Sequence, residues 1–285
     1  MSIVYLNGDF MPMQEAKISP MDRGFLFGDG IYEVIASYDG KLVGFVPHIE
    51  RMNQGLGLIG IDFNWDHEKW RSLCNALIEK NAGTNLAVYL HVSRGTDTKR
   101  FHAYPEGIPV TLFAFTFEIP PANIADKASA KTYKVATTED LRWQRCNIKS
   151  TALLGNVMHF QHGVSRGCNE TILFNRNNEM TEGSACNVFI VKNGVLITPA
   201  LDNQILPGIT RFMLLDMLVK YSTIKIEERV VTKQEVLTAD EVWLTSSSKE
   251  IAPVVQIDGK PVGNGQIGDL WLSAQTLYSA HKADY

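Results

Sequence analysis

Paired prolines at Pro120 and Pro121 sit in Ile119-Pro120-Pro121-Ala122-Asn123-Ile124-Ala125-Asp126, a stretch with neither helical nor strand periodicity. Proline lacks an amide hydrogen and restricts the residue before it to extended backbone, so a helix or central strand does not run through such a segment. The chain is therefore read in two parts, and its 285 residues suffice for two domains with separate cores. We expect an N-terminal domain over 1–118, a linker over 119–132 and a C-terminal domain over 133–285.

The first part opens with short strands and turns. Ile3–Leu6 is followed by Asn7-Gly8, and Tyr32–Tyr38 by Asp39-Gly40 and then Lys41–Val46. A helix is expected from about His48. A second is predicted over Asp66–Lys80, with Trp70, Leu73, Cys74, Leu77 and Ile78 on one face. Strands are predicted at Leu86–Ser93 and Val110–Phe117. In the second part we expect strands at Tyr133–Thr137, Glu170–Asn175, Ala185–Val191, Val195–Thr198, Lys225–Val230 and Glu241–Thr245. Helices are expected over Thr151–Gly163 and Thr210–Tyr221. Strands and helices alternate without regular strand-helix-strand units, which favours a mixed α/β or α+β architecture.

Composition narrows the function classes. The formal net charge is −4 with no block of like charges, so nothing favours nucleic acid or an anionic membrane as a partner. Small molecules and other subunits are the expected partners. No apolar run reaches the roughly 18 residues needed to span a bilayer, and the N-terminus does not read as a leader, so a cytoplasmic enzyme is expected. Cys74, Cys146, Cys168 and Cys186 have neither disulfide-framework nor metal-ligand spacing, and no metal site is expected.

The chemistry is concentrated in a few segments. Lys149 lies between Ile148 and a run of small and apolar residues, where an unpartnered ammonium is costly. Glu182 lies in Met180-Thr181-Glu182-Gly183-Ser184-Ala185-Cys186-Asn187. An aldehyde cofactor needs an amine to hold it as a Schiff base, and its ring nitrogen needs a carboxylate to remain protonated. Lys149 and Glu182 fit those two tasks and point to pyridoxal phosphate. Leu206-Pro207-Gly208-Ile209-Thr210-Arg211 precedes a helix with Thr210 as expected N-cap, so the free amides of that end suit a phosphate. Ser246-Ser247-Ser248 adds hydroxyls after a strand, and Arg51, in His48-Ile49-Glu50-Arg51, supplies a guanidinium that grips phosphate at two points. Arg100 and His102 occupy alternate positions of a loop after a strand, facing the same way in an extended segment, and together suit a carboxylate. Tyr32 could donate to the same group. Gly55-Leu56-Gly57-Leu58-Ile59-Gly60 matches the dinucleotide-binding spacing but ends a helical stretch, the wrong context for that motif.

The chain resembles the class IV pyridoxal phosphate aminotransferases of fold type IV, and among them most closely the D-amino acid transaminases. The resemblance runs from Phe27-Gly28-Asp29-Gly30-Ile31-Tyr32-Glu33 through His48-Ile49-Glu50-Arg51 and Lys149 to Ile251-Ala252-Pro253-Val254-Val255, and is most specific around Lys149, Glu182 and Gly208-Ile209-Thr210. It implies a smaller N-terminal α/β domain and a larger C-terminal, cofactor-binding domain with a barrel-like sheet. It further implies Lys149 as anchor and acid/base, Glu182 on the pyridine nitrogen, and Leu206 against the ring. Arg51, the amides of Ile209 and Thr210, and Ser247 would hold the phosphate. Tyr32, Arg100 and His102 look like the carboxylate trap, with Arg100 and His102 contributed by the other subunit of a homodimer. A ping-pong exchange between D-alanine or D-glutamate and a 2-oxo acid is the implied reaction. Branched-chain aminotransferases, (R)-selective amine transaminases and aminodeoxychorismate lyases share the cofactor set and are the alternatives. The all-serine triplet, Ala185-Cys186 and Lys249 depart from the family pattern and bear on pocket shape.

Overall fold

In a computed structural model describing residues 2–285, the chain divides into two units. The first holds the residues up to Pro121 together with Ile148–Leu153, and the second holds Ala122–Asn147 and Leu154–Asp284. The division falls after Pro121, and the stretch from Ala122 onward groups with the second unit. Asn123 donates its amide to Glu250 Oε2 at 3.1 Å and its side-chain nitrogen to the Lys249 carbonyl at 2.7 Å. The segment with Lys149, expected in the C-terminal domain, clusters with the first unit instead.

The first unit contains β1 (Ile3–Leu6), β2 (Asp9–Pro12), α1 (Arg23–Phe27), β3 (Gly30–Tyr38), β4 (Lys41–Leu42), α2 (Phe45–Leu58), α3 (His67–Lys80), β5 (Asn85–Ser93) and β6 (Thr111–Glu118). Its six strands form one antiparallel sheet in the order β2-β1-β6-β5-β3-β4. Alternation along β3 sends Ile31, Glu33 and Ile35 to one face and Tyr32 and Val34 to the other. Ile31 and Ile35 share a core with Ile49, Met52 and Leu56 of α2 and with Trp70, Leu73 and Leu77 of α3. Asp66, where this last helix was expected to begin, caps it by accepting from the Lys69 amide at 2.8 Å.

Three differences from expectation have local causes. The strand expected over Lys41–Val46 stops at Leu42, because Gly44 takes φ +65° and starts α2 at Phe45. The short α1 was not expected. Asp22 caps its start through the Gly24 amide and Gly28 ends it at φ +65°. Gly55 and Gly57 lie within α2 and Gly60 follows its end; Gly55 lets the helix close on β3, since a Cβ there would lie 3.2 Å from Ile31 Cδ1.

The second unit contains β7 (Tyr133–Glu139), α4 (Leu154–Val164), β8 (Glu170–Phe174), β9 (Met180–Gly183), β10 (Asn187–Lys192), β11 (Val195–Thr198), α5 (Ile209–Tyr221), β12 (Lys225–Glu228), α6 (Lys233–Leu237), β13 (Glu241–Ser246), β14 (Glu250–Ile257), β15 (Lys260–Pro261) and α7 (Asp269–His281). The sheet runs β12-β11-β10-β13-β14-β7-β8-β9, with β15 on β14. The pairs β11–β12, β14–β7 and β7–β8 are parallel and the others antiparallel. β9 ends one side of this order, yet the Gly183 amide bonds the Cys186 carbonyl at 2.7 Å and brings it back to β10, so the sheet is curled. This mixed sheet is the barrel-like architecture expected. Val135, Ile172, Val188, Ile190, Leu244 and Val254 fill its core.

β9 was missed because four residues buried on both faces show no alternation. β14 and α7 were also not anticipated. α4 starts at Leu154 rather than Thr151 because the preceding residues are held extended in the first unit. α5 is capped by Gly208, not Thr210, which lies buried inside the first turn.

Trp70 is fully buried in the first unit's core. Truncation to alanine removes an indole that its neighbours cannot replace, and Trp70→Ala should cost about 3–5 kcal/mol, read as a lowered thermal midpoint of that unit.

Candidate active site

In the first unit, backbone hydrogen bonds fix Lys149. Its carbonyl accepts from the Tyr32 amide at 3.2 Å, Ser150 bridges Ile31, and the Thr151 amide donates to the Gly30 carbonyl at 3.0 Å. Ile148 enters the core. The segment thus lies antiparallel to the start of β3. Glycine is required opposite it: a Cβ on Gly28 would lie 2.7 Å from Ala152 Cα. The Lys149 ammonium is half-buried, 4.1 Å from the Tyr32 ring centre, and within this unit it makes no ion pair or hydrogen bond to a described residue. On its other side Tyr32 stacks on Tyr89 with ring centres 5.6 Å apart.

Glu33, next to Tyr32, points to the opposite face and is fully buried. Arg51 donates from Nε to Glu33 Oε1 and from Nη2 to Oε2, each at 2.7 Å, and His48 Nδ1 lies 2.7 Å from Oε2. Burial works to raise the Glu33 carboxyl, but Arg51 and His48 overcome it and set it at about 2. Burial holds the His48 imidazole below its usual value despite Glu33. A carboxylate only accepts, so the neutral His48 carries its proton on Nδ1. Arg51 was expected as a phosphate ligand. The structure adds that one edge of its guanidinium is oriented by a two-point ion pair, with Arg51 and His48 one helical turn apart.

Arg100 and His102 lie on the exposed loop after β5. They meet at Phe27, whose ring centre is 5.3 Å from the Arg100 guanidinium and 5.4 Å from the His102 ring. Within the chain, no hydrogen bond or ring contact joins this pair to Tyr32 among the described residues.

In the second unit, Glu182 projects from β9 and is 5% exposed. Its Oε1 accepts from Arg142 Nη1 at 2.5 Å, and its Oε2 from the Leu206 amide at 3.0 Å and Asn187 Nδ2 at 3.2 Å. Burial pushes the Glu182 carboxyl up to about 7 against the pull of Arg142. Asp140 holds Arg142 from behind through Nε at 3.0 Å and Nη2 at 2.7 Å, and itself accepts from Thr181 Oγ1 at 2.8 Å. Asp140 therefore stays below the usual carboxylate value even though burial opposes this.

Asn187 ties the remaining parts together. Its Nδ2 also donates to the Leu206 carbonyl at 2.8 Å, so Leu206 is held at both its amide and its carbonyl. Across the sheet it pairs with Thr245, two residues before Ser247. Gly208 caps α5 without a side-chain hydrogen bond, which leaves the amides of Ile209 and Thr210 available at the helix start, where the dipole favours an anion. A Cβ on Gly208 would lie 1.9 Å from Asn187 Oδ1, so only glycine fits this approach. The Ser246–Ser248 turn is anchored by Lys249, whose Nζ lies 3.7 Å from the buried Glu170 Oε2. Ser184 also bonds Glu170, and Cys186 Sγ lies 3.6 Å from Glu170 Oε2. The departures at Cys186 and Lys249 thus converge on one buried carboxylate.

Sequence reasoning missed Glu33, His48, Asp140, Arg142 and Asn187. The signals were present for three of them: a glutamate on the apolar face of a strand, and an arginine two residues after an aspartate at a strand end.

The family model "Amino-transferase class IV" matches residues 30–257. A D-alanine aminotransferase of Staphylococcus haemolyticus is 38% identical over 284 residues, covering 99% of this chain and 98% of the relative. Another from Bacillus licheniformis is 37% identical over 273 residues, covering 96% and 94%. Among solved structures, the branched-chain amino acid aminotransferase of Escherichia coli matches with a TM-score of 0.89 over 98% of this chain and 94% of that one, at 22% identity. The branched-chain amino acid aminotransferase of Thermobaculum terrenum, in its PLP (holo) form, matches with a TM-score of 0.87 at 18% identity, covering 99% and 94%. These structures share the fold.

Because the folded Glu33 carboxyl sits near 2, below its unfolded value, its contribution to stability is complete above the unfolded pKa and is lost as pH falls from about 4.5 towards 2. Glu33→Gln should lose on the order of 3 kcal/mol at neutral pH and progressively less as the medium is acidified. Thermal midpoints of both proteins between pH 7 and pH 3 measure this, and a gap that stays constant across that range would contradict the assignment.

Proposed function

The chain belongs to the class IV aminotransferases, and from that premise we propose that it is a D-amino acid transaminase, exchanging an amino group between D-alanine or D-glutamate and a 2-oxo acid. The observation that carries this reading is 37–38% identity to D-alanine aminotransferases along nearly the whole of both chains.

The cofactor of the family is pyridoxal 5'-phosphate, and the chain's donor set fits it. There is an amine without an anionic partner in its own unit, a buried carboxylate near pKa 7, and a helix start with available amides beside a glycine that admits no side chain. Bound there, pyridoxal phosphate supplies the electron sink that allows a proton to leave the substrate Cα. In our reading Lys149 Nζ anchors the cofactor and then carries that proton as acid and base. Glu182 holds the proton of the ring nitrogen. A carboxyl raised to about 7 by burial ionises readily once a second cation joins Arg142 beside it. Arg51, the amides of Ile209 and Thr210, and Ser247 hold the phosphate, while Leu206, fixed by Glu182 and Asn187, packs on the ring.

Tyr32, Arg100 and His102 bind the substrate carboxylate. Arg100 and His102 are solvent-exposed and Tyr32 contacts neither within the chain, so we assign them to the partner's site in a homodimer. The apolar face of α4 supports an assembly: Leu154, Val157, Met158 and Val164 are 74%, 59%, 65% and 45% exposed. No helix among the described residues is long and apolar enough to cross a membrane, and they contain no group of three or more His, Cys, Asp or Glu placed to hold a metal ion. We place the enzyme in the cytoplasm.

Assaying D-alanine, D-glutamate, L-leucine, (R)-phenylethylamine and aminodeoxychorismate side by side tests the substrate class. The two D-amino acids should be turned over fastest, and preference for any of the other three would displace this reading. Lys149→Ala should be colourless and lose about 10²–10⁴-fold or more in kcat. Gly208→Ala should displace Asn187 and weaken pyridoxal phosphate about tenfold or more, measured by fluorescence titration of the apoenzyme.

A further inference from the structure

Arg23 is a buried cation that the chemistry above leaves unused. Its side chain is 3% exposed, and Nε donates to Asp29 Oδ2 at 2.8 Å. The other two nitrogens reach three consecutive carbonyls: Nη1 donates to Phe101 at 2.6 Å and to Ala103 at 3.3 Å, and Nη2 to His102 at 3.3 Å. A planar fork of donors can serve a carboxylate on one edge and converging carbonyls on the other, whereas an ammonium cannot.

The carboxylate that holds Arg23 is itself fixed. Arg94 donates to Asp29 from Nε at 2.8 Å and from Nη2 at 3.0 Å, and it also donates to the carbonyls of Ile59 and Gly60, just past α2. Asp29 therefore joins the end of α2 to Arg23, and Arg23 joins it to residues 101–103. Those residues belong to no helix or strand, so no sheet ladder orders them and the cost in backbone entropy falls on such bonds. Phe27 completes the frame, with the Arg23 guanidinium 4.9 Å from its ring centre and Arg100 and His102 against the same ring.

We propose that Arg23 is a positioning residue for the substrate carboxylate: by gripping the carbonyls of Phe101, His102 and Ala103 it sets the direction in which Arg100 and His102 project. The inference rests on reading Arg100 and His102 as the carboxylate trap. A misplacement of about 1 Å in such a constellation is enough to cost around 10²-fold, so backbone placement is a direct control on affinity.

The test is a mutant cycle on the purified holoenzyme, with kcat and KM for D-alanine. Arg23→Lys keeps a positive charge beside Asp29 but cannot span three carbonyls. It should raise KM about tenfold or more and change kcat less than about threefold, the signature of lost substrate binding. The Arg100→Ala/His102→Ala enzyme should show at least as large a rise in KM. Adding Arg23→Lys to that enzyme should lower kcat/KM less than about twofold, because nothing is left to position. If Arg100→Ala/His102→Ala leaves KM unchanged, the trap reading fails and this inference falls with it. If that enzyme loses affinity while Arg23→Lys affects only kcat or thermal midpoint, or its effect multiplies fully with the pair, Arg23 is merely structural and the trap reading stands alone. Should Arg23→Lys not fold, Asp29→Asn, which loosens the same guanidinium without deleting it, replaces it in the cycle with the same outcomes.

Discussion

Two backbone hydrogen bonds against the first residues of β3 decide where the Lys149 amine stands. The Tyr32 amide on the Lys149 carbonyl and the Thr151 amide on the Gly30 carbonyl form the bridge between Ile31 and Ser150 and hold residues 148–153 as an extended strap. Its neighbours in the first unit are placed by that strap: Tyr32 beneath the ammonium, and Glu33 one residue on, turned the other way. Gly28 makes it possible, since a Cβ there would run into Ala152. The same strap delays the start of α4 until Leu154, because residues held extended along β3 do not have helical backbone angles.

Around this frame the charges are buried in pairs and triads, and their partners explain their states. Glu33 and Glu182 are both buried carboxylates, yet one lies near 2 and the other near 7. Glu33 has a two-point arginine and a histidine donor. Glu182 has a single arginine contact, and that arginine is shared with Asp140. A carboxylate already saturated by a two-point cation and a further donor is a fixed support, whereas one held near neutrality responds to an added cation. The difference in wiring makes Glu33 a fixed support, and on it rests our proposal that Glu182 faces the cofactor.

The family and its cofactor could be read from local sequence because their signals are local. Lys149 among apolar neighbours, Glu182 before Asn187, and Gly208-Ile209-Thr210 at a helix start each reveal their chemistry within a few residues. Most strands were also legible, since β3, β5, β6 and β10 carry branched and aromatic runs bounded by turns. β9 was not, being short and buried on both faces, and α1 was too brief to show a period. Thr210 was misread as a cap because a hydroxyl residue at a helix start usually is one. Here Gly208 takes the place, since its contact with Asn187 leaves no room for a side chain.

The sequence by itself determined which chemical groups the protein owns: the Lys149 amine, the Glu182 carboxylate, the Gly208 helix start with a serine triplet, and an Arg-x-His loop. Only the tertiary structure decided how they are held. Glu33 on Arg51, Asn187 on Leu206 and Arg23 on the carbonyls of 101–103 join residues that lie from 18 to 80 positions apart. It also transferred the strap with Lys149 to the first unit, across the boundary the prolines suggested. Such pairings have no local signature. A buried ion or amide needs a partner, but burial and partner alike exist only once distant segments have packed together.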